Sequence, residues 1–223
     1  MITPRLKCII DHTNGARIAD IGTDHAYIPI YLVENGISEK AIAGDVCEGP
    51  VEIAKANIEK NNLSDKIEVR LGSGLSVIEK GEVDTIIIAG MGGQLISEII
   101  DADIEKAREC SLVLQPMNAQ YELRKYLIKN GFSITDEDIA LEGFKVYNVM
   151  NVKNGRQVEF ENDIEYHLPK YLKSNKYYKE LYDKKHREFF KVVSGLENSN
   201  DVDTEKLEMY KFWLKELEKY ESE

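Results

Sequence analysis

The chain has 223 residues, 43% of them hydrophobic, and a formal charge of -11 from 29 basic and 40 acidic side chains. That is enough apolar material for one full α/β domain plus a small appendage, which excludes a globally disordered chain. The acidic sum excludes a uniformly basic nucleic-acid binder and leaves room for a local basic face. The three cysteines (Cys8, Cys47, Cys110) are far apart, and four histidines are scattered. They argue against a disulfide framework or a structural zinc site and fit a reducing cytoplasm.

Thr3 and Pro4 read as a cap and an N1 proline, and Leu6, Ile9 and Ile10 recur at helical spacing. This predicts a short helix over residues 3–14, with Arg5 and Lys7 on a solvated opening turn. No long apolar segment follows, so no signal peptide is expected, and no stretch approaches the about 20 apolar residues of a membrane span. A soluble, cytoplasmic chain without membrane contact is the expectation.

Residues 17–21 read as a buried strand that breaks at Gly22, turns polar through Thr23, Asp24 and His25, and resumes as an apolar helix from Ala26. A glycine at such a bend lets a ligand approach the main chain. A dinucleotide site would carry three glycines, G-x-G-x-x-G, so that amides cradle a pyrophosphate. Here one glycine is flanked by the carboxylates of Asp20 and Asp24, which accept hydrogen bonds and cannot donate them. A positively charged nucleoside without phosphates fits that bend, and S-adenosyl-L-methionine is the candidate.

Residues 40–46 form a second buried strand. Asp45 ends it about 20 residues beyond the first bend, where nucleoside-binding α/β folds place an acid against the ribose hydroxyls. Gly49-Pro50 opens a helix with Val51, Ile53, Ala54 and Ile58 inward, ending near Asn61-Asn62. Residues 67–71 alternate as a third strand and break at Gly72-Ser73-Gly74, a loop that can border an adenine. Residues 85–89 are apolar on both faces, as in a central strand. Their Gly90-Met91-Gly92-Gly93 end brings the main chain close to a ligand. A helix carrying Leu95, Ile96, Ile99 and Ile100 follows, then a strand over 111–114 ending in Gln115-Pro116-Met117-Asn118, a helix over 121–130, and two strands pairing around Gly143. Five β-α alternations and an antiparallel pair predict a doubly wound, mostly parallel sheet in residues 1–155.

Residues 156–223 form the second predicted domain, an antiparallel helical hairpin. Its helices run over 170–196 and 204–220 and are joined by a polar loop, Glu197 to Asp201. Tyr178, Leu181, Phe189, Val192 and Leu196 are expected to face Leu207, Tyr210, Leu214 and Leu217. Charge divides unevenly: residues 1–150 hold 15 basic and 24 acidic side chains, whereas residues 165–191 hold eight and four. Lys170, Lys173, Lys176, Lys184, Lys185 and Arg187 interleave with tyrosines. That pattern suits an RNA backbone with exposed bases, and it equally suits a solvated helix with a tyrosine-rich seam.

The strings A-D-I-G-T-D-H-A-Y (19–27), G-D-V (44–46) with Gly49-Pro50, R-L-G-S-G-L (70–75), I-A-G-M-G-G (88–93) and L-Q-P (114–116) resemble the bacterial tRNA (adenine-22-N1)-methyltransferases over roughly residues 4–150. The helical pair resembles that family's C-terminal coiled coil. The chain departs from the family pattern at Met117, which separates Asn118 from Gln115-Pro116, at Ser73, where many members carry an acid, and at Phe144. The resemblance implies a Rossmann-like, S-adenosyl-L-methionine-dependent methyltransferase fold with tRNA as partner. It implies Asp20, Gly22, Thr23, Asp24 and His25 around the methionine part of the cofactor, and Asp45 with Val46 at the ribose. Gly72, Ser73 and Gly74 would border the adenine, and Ala89, Gly90 and Met91 would lie beneath the sulfonium. Arg5 joins the hairpin cations as a candidate RNA contact.

Adenine N1 has a free lone pair at neutral pH, so no base is needed, and its methylated product is a cation that a nearby carboxylate stabilises. Asp24 is the candidate for that task, or it serves the cofactor's ammonium instead. His25 and Tyr27 offer rings to stack on the base, although Tyr27 also suits core packing, and Asn118 completes the candidate catalytic set. N1 is engaged in Watson–Crick pairs, so the target must be unpaired or extruded. No metal is expected, and the chain is read as a monomer or weak homo-oligomer. The competing readings are a methyltransferase of another RNA, a protein or a small molecule, and a non-catalytic adaptor that binds the cofactor and RNA.

Overall fold

The structure is a computed structural model that describes residues 2–199, 201 and 203–222, with side chains as far as Lys219. Asn200 of the predicted hairpin loop lies outside the described residues. The chain divides into two compact units, Met1–Glu159 and Phe160–Glu223.

The first unit is built on seven strands: β1 (Arg17–Ile21), β2 (Lys40–Asp45), β3 (Ile67–Leu71), β4 (Thr85–Met91), β5 (Ser111–Pro116), β6 (Phe132–Glu142) and β7 (Lys145–Asn154). They form one sheet in the order β3-β2-β1-β4-β5-β7-β6. The first five are parallel, and β7 is inserted antiparallel between β5 and β6. The chain runs outward from β1 to β3 and then returns to β4. The order therefore reverses between β1 and β4, where open α/β sheets bind ligands beyond their carboxyl ends.

Helices α1 (Pro4–Asp11), α2 (Tyr27–Glu34), α3 (Glu48–Lys60), α4 (Gly93–Ala102), α5 (Ile104–Arg108) and α6 (Gln120–Lys129) cover the sheet. The central strand shows why its sequence is apolar throughout. Ile86 and Ile88 enter one core layer with Ile96 and Ile100 of α4, while Ile87 enters the other with Ile28 of α2 and Ala54 of α3. Helix geometry corrects one inward assignment. Val51, Ala54 and Ile58 make the buried stripe of α3, and Ile53, off that stripe, is exposed. Leu95 is likewise exposed beside buried Ile96 and Ile100. The short α5 carries too few residues to show a period.

The sixth strand carries a register shift between Ile134 and Asp136. The bulge accompanies an inward Glu137 on an edge strand. Glu137 is paired there with fully buried Arg124 of α6, through Nη2 to Oε1 and Nε to Oε2 at 3.3 Å, and Asn148 Nδ2 donates to Oε1 at 2.7 Å.

In the second unit, α7 (Ile164–His167) and a single-turn 3₁₀ segment (Lys170–Ser174) precede α8 (Tyr178–Glu197) and α9 (Thr204–Ser222). The first long helix thus begins at Tyr178, not Lys170. Asn175 is extended at ψ 135 and its side chain accepts the Tyr177 N–H at 2.9 Å, which breaks the helix there. Helices α8 and α9 pack as a hairpin. The buried seam uses Leu181, Phe189 and Val193 against Leu207, Trp213 and Leu217, so Val193 and Trp213 stand where Val192 and Leu214 were expected. The Trp213 and Phe189 rings both close on His167 of α7, at 4.4 and 4.9 Å between centroids.

Removing one partner of the buried ion pair strands the other charge out of water. Arg124→Ala is expected to cost about 3–5 kcal/mol of stability, read as a lower urea midpoint.

Candidate active site

The bend after β1 is set by main-chain bonds from its neighbour. The N–H groups of Gly22 and Thr23 both donate to the Gly44 carbonyl, at 2.7 and 3.1 Å. Gly22 sits at φ +77, a left-handed conformation that favours glycine, and the Met91 Cε packs against it where a Cβ would stand. Ala26 opens α2 in the left-handed region at φ 54, and its N–H donates to Thr23 Oγ1 at 3.2 Å. The Thr23 hydroxyl in turn donates to the Asp20 carboxylate.

Asp20 ends this relay almost wholly buried. Burial pushes its carboxyl up to about 6, with the Asp45 charge adding to the rise, while the Thr23 hydroxyl and the Arg5 charge pull it down. It lines a cavity of about 410 Å³ with Thr3, Arg5, Leu6, Gly22 through Ile28, Ala89 and Gly90. The cavity opens at the carboxyl ends of β1 and β4, at the reversal of strand order.

Arg5 is the main departure from expectation. It does not lie on a solvated face: Nη1 donates to the buried Gln115 Oε1 at 2.7 Å, and the guanidinium sits 5.7 Å from the centroid of the Tyr147 ring. Its N–H lies 3.4 Å from Glu142 Oε2. Arg5, Thr3 and Leu6 thus make α1 a wall of the cavity, and Gln115 braces that wall from the end of β5. The sequence signal for Gln115 was a polar residue closing an apolar strand. Nothing local pointed Arg5 inward, because its partners come from β5, β6 and β7.

Asp24 is exposed and lies 3.2 Å from His25 Nε2. The His25 ring stacks on Tyr27 with centroids 5.0 Å apart, and Tyr27 is 41% exposed, which removes the core-packing reading. Asn57 of α3 donates to the His25 carbonyl at 3.0 Å and holds the bend from the far side. Asp45 and Val46 stand at the end of β2, and Gly72 to Gly74 stand at the end of β3, on the same rim but outside the cavity lining. Asp45 Oδ1 accepts the Cys47 N–H at 2.8 Å, and its carbonyl accepts the Gly72 N–H at 2.9 Å. Ser73 is exposed. Met91 underlies Gly22. Asn118 is also exposed; its side chain lies against Gly92 and its carbonyl accepts the Gly93 N–H at 3.1 Å, so it joins the glycine segment and not the cavity lining.

In the second unit, Lys170, Lys173, Lys176 and Arg187 are exposed. Lys176 lies 4.7 Å from the Tyr177 ring centroid. Lys184 is half-buried, and burial pushes its ammonium pKa down. Lys185 is a correction: it is buried, with its ammonium 2.9 Å from Glu188 Oε2, and is not part of the exposed basic set.

A 3-2-1-4-5-7-6 sheet with an acidic single-glycine bend at its reversal defines a nucleoside-binding methyltransferase domain, and the family described as "Methyltransferase domain" matches residues 2–150. The tRNA (adenine(22)-N(1))-methyltransferase of Bacillus subtilis is 43% identical over a stretch covering 69% of this chain and 66% of that relative, just under two thirds of its length. The solved structure of the B. subtilis m1A22 tRNA methyltransferase TrmK superposes with a TM-score of 0.87 at 31% identity, over 99% of this chain and 98% of that one. Streptococcus pneumoniae Sp1610, solved in complex with S-adenosyl-L-methionine, gives a TM-score of 0.85 at 33% identity over 99% of both chains. The chain belongs to the tRNA (adenine-22-N1)-methyltransferase family.

The buried carboxyl makes stability pH-dependent. With a value near 3.8 when unfolded and about 6 when folded, Asp20 keeps a proton in the folded chain that the unfolded chain has lost. Stability contributed by this residue therefore falls as pH climbs from about 4 to about 6. Asp20→Asn carries no charge to desolvate, and is expected to be more stable by up to about 3 kcal/mol near neutral pH. The gain should vanish below about pH 3.5; urea unfolding at both pH values checks it.

Proposed function

We propose that this chain transfers a methyl group from S-adenosyl-L-methionine to N1 of an adenine in tRNA, at position 22 by kinship. The observation that carries this reading is the whole-length likeness to the m1A22 tRNA methyltransferase TrmK, joined to a cavity built at the strand-order reversal. The residues fit the cofactor. Gly22 lines the cavity without a side chain, and the acceptor-only groups of Asp20 and Asp24 suit a cation where a phosphate would be repelled. Asp45, at the end of β2, would accept the ribose hydroxyls.

The cofactor supplies an electrophilic methyl group on a sulfonium. The chain's own contribution is orientation and exclusion of water. Asp20, Thr23 and Ala26 fix the floor of the cavity by their relay of bonds. Asp24 presents an exposed carboxylate at its mouth, suited to stabilising positive charge that grows on the base. The stacked His25 and Tyr27 rings present a flat, partly exposed surface beside it, suited to an adenine taken out of its stack. The exposed Lys170, Lys173, Lys176 and Arg187 of the second unit would meet the phosphate backbone.

Digestion of tRNA after reaction with labelled cofactor should yield 1-methyladenosine by mass; a methyl group on another atom, or none, overturns the reading. Asp24→Asn should lower the rate at saturating cofactor by at least about tenfold. An unchanged rate with weakened cofactor binding assigns Asp24 to the ammonium instead. Charge reversal at Lys173, Lys176 and Arg187 should weaken tRNA binding and flatten its salt dependence, by about 0.9 in log–log slope for each phosphate no longer neutralised.

A further inference from the structure

Away from the nucleoside cavity, one group of side chains among the described residues gathers metal-binding atoms at a common point. Cys8, His12 and Asp138 present ligand atoms that all lie within 4.8 Å of one another. Cys8 is on α1 and His12 caps its C-terminus, one turn apart and so on one face. Cys8 Sγ lies 3.9 Å from His12 Nδ1. Asp138 comes from β6, along which α1 packs. Its Oδ1 accepts the Ile139 N–H at 2.6 Å, which fixes the carboxylate, and the carboxylate accepts a hydrogen bond from the Cys8 thiol. The far side of the imidazole is engaged as well, with Nε2 at 3.4 Å from Asp136 Oδ2.

We propose that Cys8 Sγ, His12 Nδ1 and an Asp138 carboxylate oxygen form a zinc(II) site that clasps α1 to β6, with water in the fourth position. A thiolate beside an imidazole and a carboxylate selects zinc over magnesium or calcium, which prefer all-oxygen shells. Tetrahedral zinc sets its ligand atoms about 3.5 Å apart, so the sulfur and nitrogen need only a small closing movement. Asp136 then takes the orienting role that carboxylates have behind metal-bound histidines, accepting the Nε2–H. On binding, the Cys8 thiol releases its proton to solvent as the sulfur–zinc bond forms. Nδ1 gives up to solvent the hydrogen it donates to the Cys8 carbonyl at 2.9 Å and turns its lone pair to the metal, while Nε2 takes a proton from solvent and holds it toward Asp136. Burial, then the charges of Asp138 and Asp11, push the metal-free thiol up to about 12. The same acidic surroundings attract a divalent cation.

The sequence hides this group because 126 positions separate His12 from Asp138, and the Cys-x-x-x-His spacing alone is common on helices. The site also bears on the cavity, since the same two elements bring Arg5 and Glu142 together.

The test uses the full chain, stripped by a chelator and desalted, titrated with Co2+ as a spectroscopic stand-in and then with Zn2+. Stoichiometric Co2+ should give a thiolate charge-transfer band and tetrahedral visible bands that Zn2+ abolishes. Cys8→Ser should remove the charge-transfer band, whereas Cys47→Ser, at an exposed cysteine, should leave it unchanged. Asp138→Asn should weaken Zn2+ binding by at least about 100-fold, and Asp136→Asn, at an exposed position outside the ligand set, by about 10-fold. Should Cys8→Ser fail to fold, the Asp136→Asn titration decides. No charge-transfer band at stoichiometric metal, a band that follows Cys47, or affinity unmoved in both aspartate variants overturns the site.

Discussion

The site depends on a carboxylate kept out of water near the end of β1. Asp20 is tolerated there because Thr23 donates its hydroxyl to it and Arg5 lends a nearby charge. The same Thr23 oxygen accepts the first N–H of α2, so one side chain ties the buried acid to the start of the helix. The Gly44 carbonyl accepts two N–H groups across the strand boundary and fixes the bend from β2. Gly22 holds the bend at φ +77, and Met91 of β4 packs against it from below. The cavity is thus defined by contacts from three adjacent strands, and its shape follows from the sheet order.

Around that floor, α1 supplies a wall whose chemistry comes from distant parts of the chain. Arg5 is held by Gln115 from β5 and lies against Tyr147 from β7, and its main chain meets Glu142 from β6. A guanidinium braced in this way offers a fixed positive charge in a cavity whose lining also holds the carboxylates of Asp20 and Asp24. The other end of the same helix meets β6 through Cys8, His12, Asp136 and Asp138. The N-terminal helix is therefore anchored at both ends to the antiparallel edge of the sheet. That edge is stiffened from within by the buried Arg124–Glu137 pair.

The second unit has its own stabilising logic. Two long helices bury a seam of leucine, phenylalanine and tryptophan, and the aromatic cluster on His167 closes its end. Polar and basic residues are left on the outside, including four of the six hairpin cations singled out for RNA. Burial of Lys185 shows that a basic count along a helix does not by itself give a basic surface.

The sequence by itself determined the strand–bend–helix units, the acidic single-glycine bend, the order of the five parallel strands' loops and the helical pair. Each of these rests on local signals: periodicity, glycine at a forced bend, and acids next to it. Exact helix faces and ends were less legible, as Ile53, Val192 and the start at Tyr178 show, because a one-residue shift turns a side chain by about 100° around a helix. Only the tertiary structure turned Arg5 into the cavity, sent Glu137 inward and brought Cys8 and His12 to Asp138. Those placements are decided by partners more than a hundred residues away or across a bulge, and no local pattern carries that information.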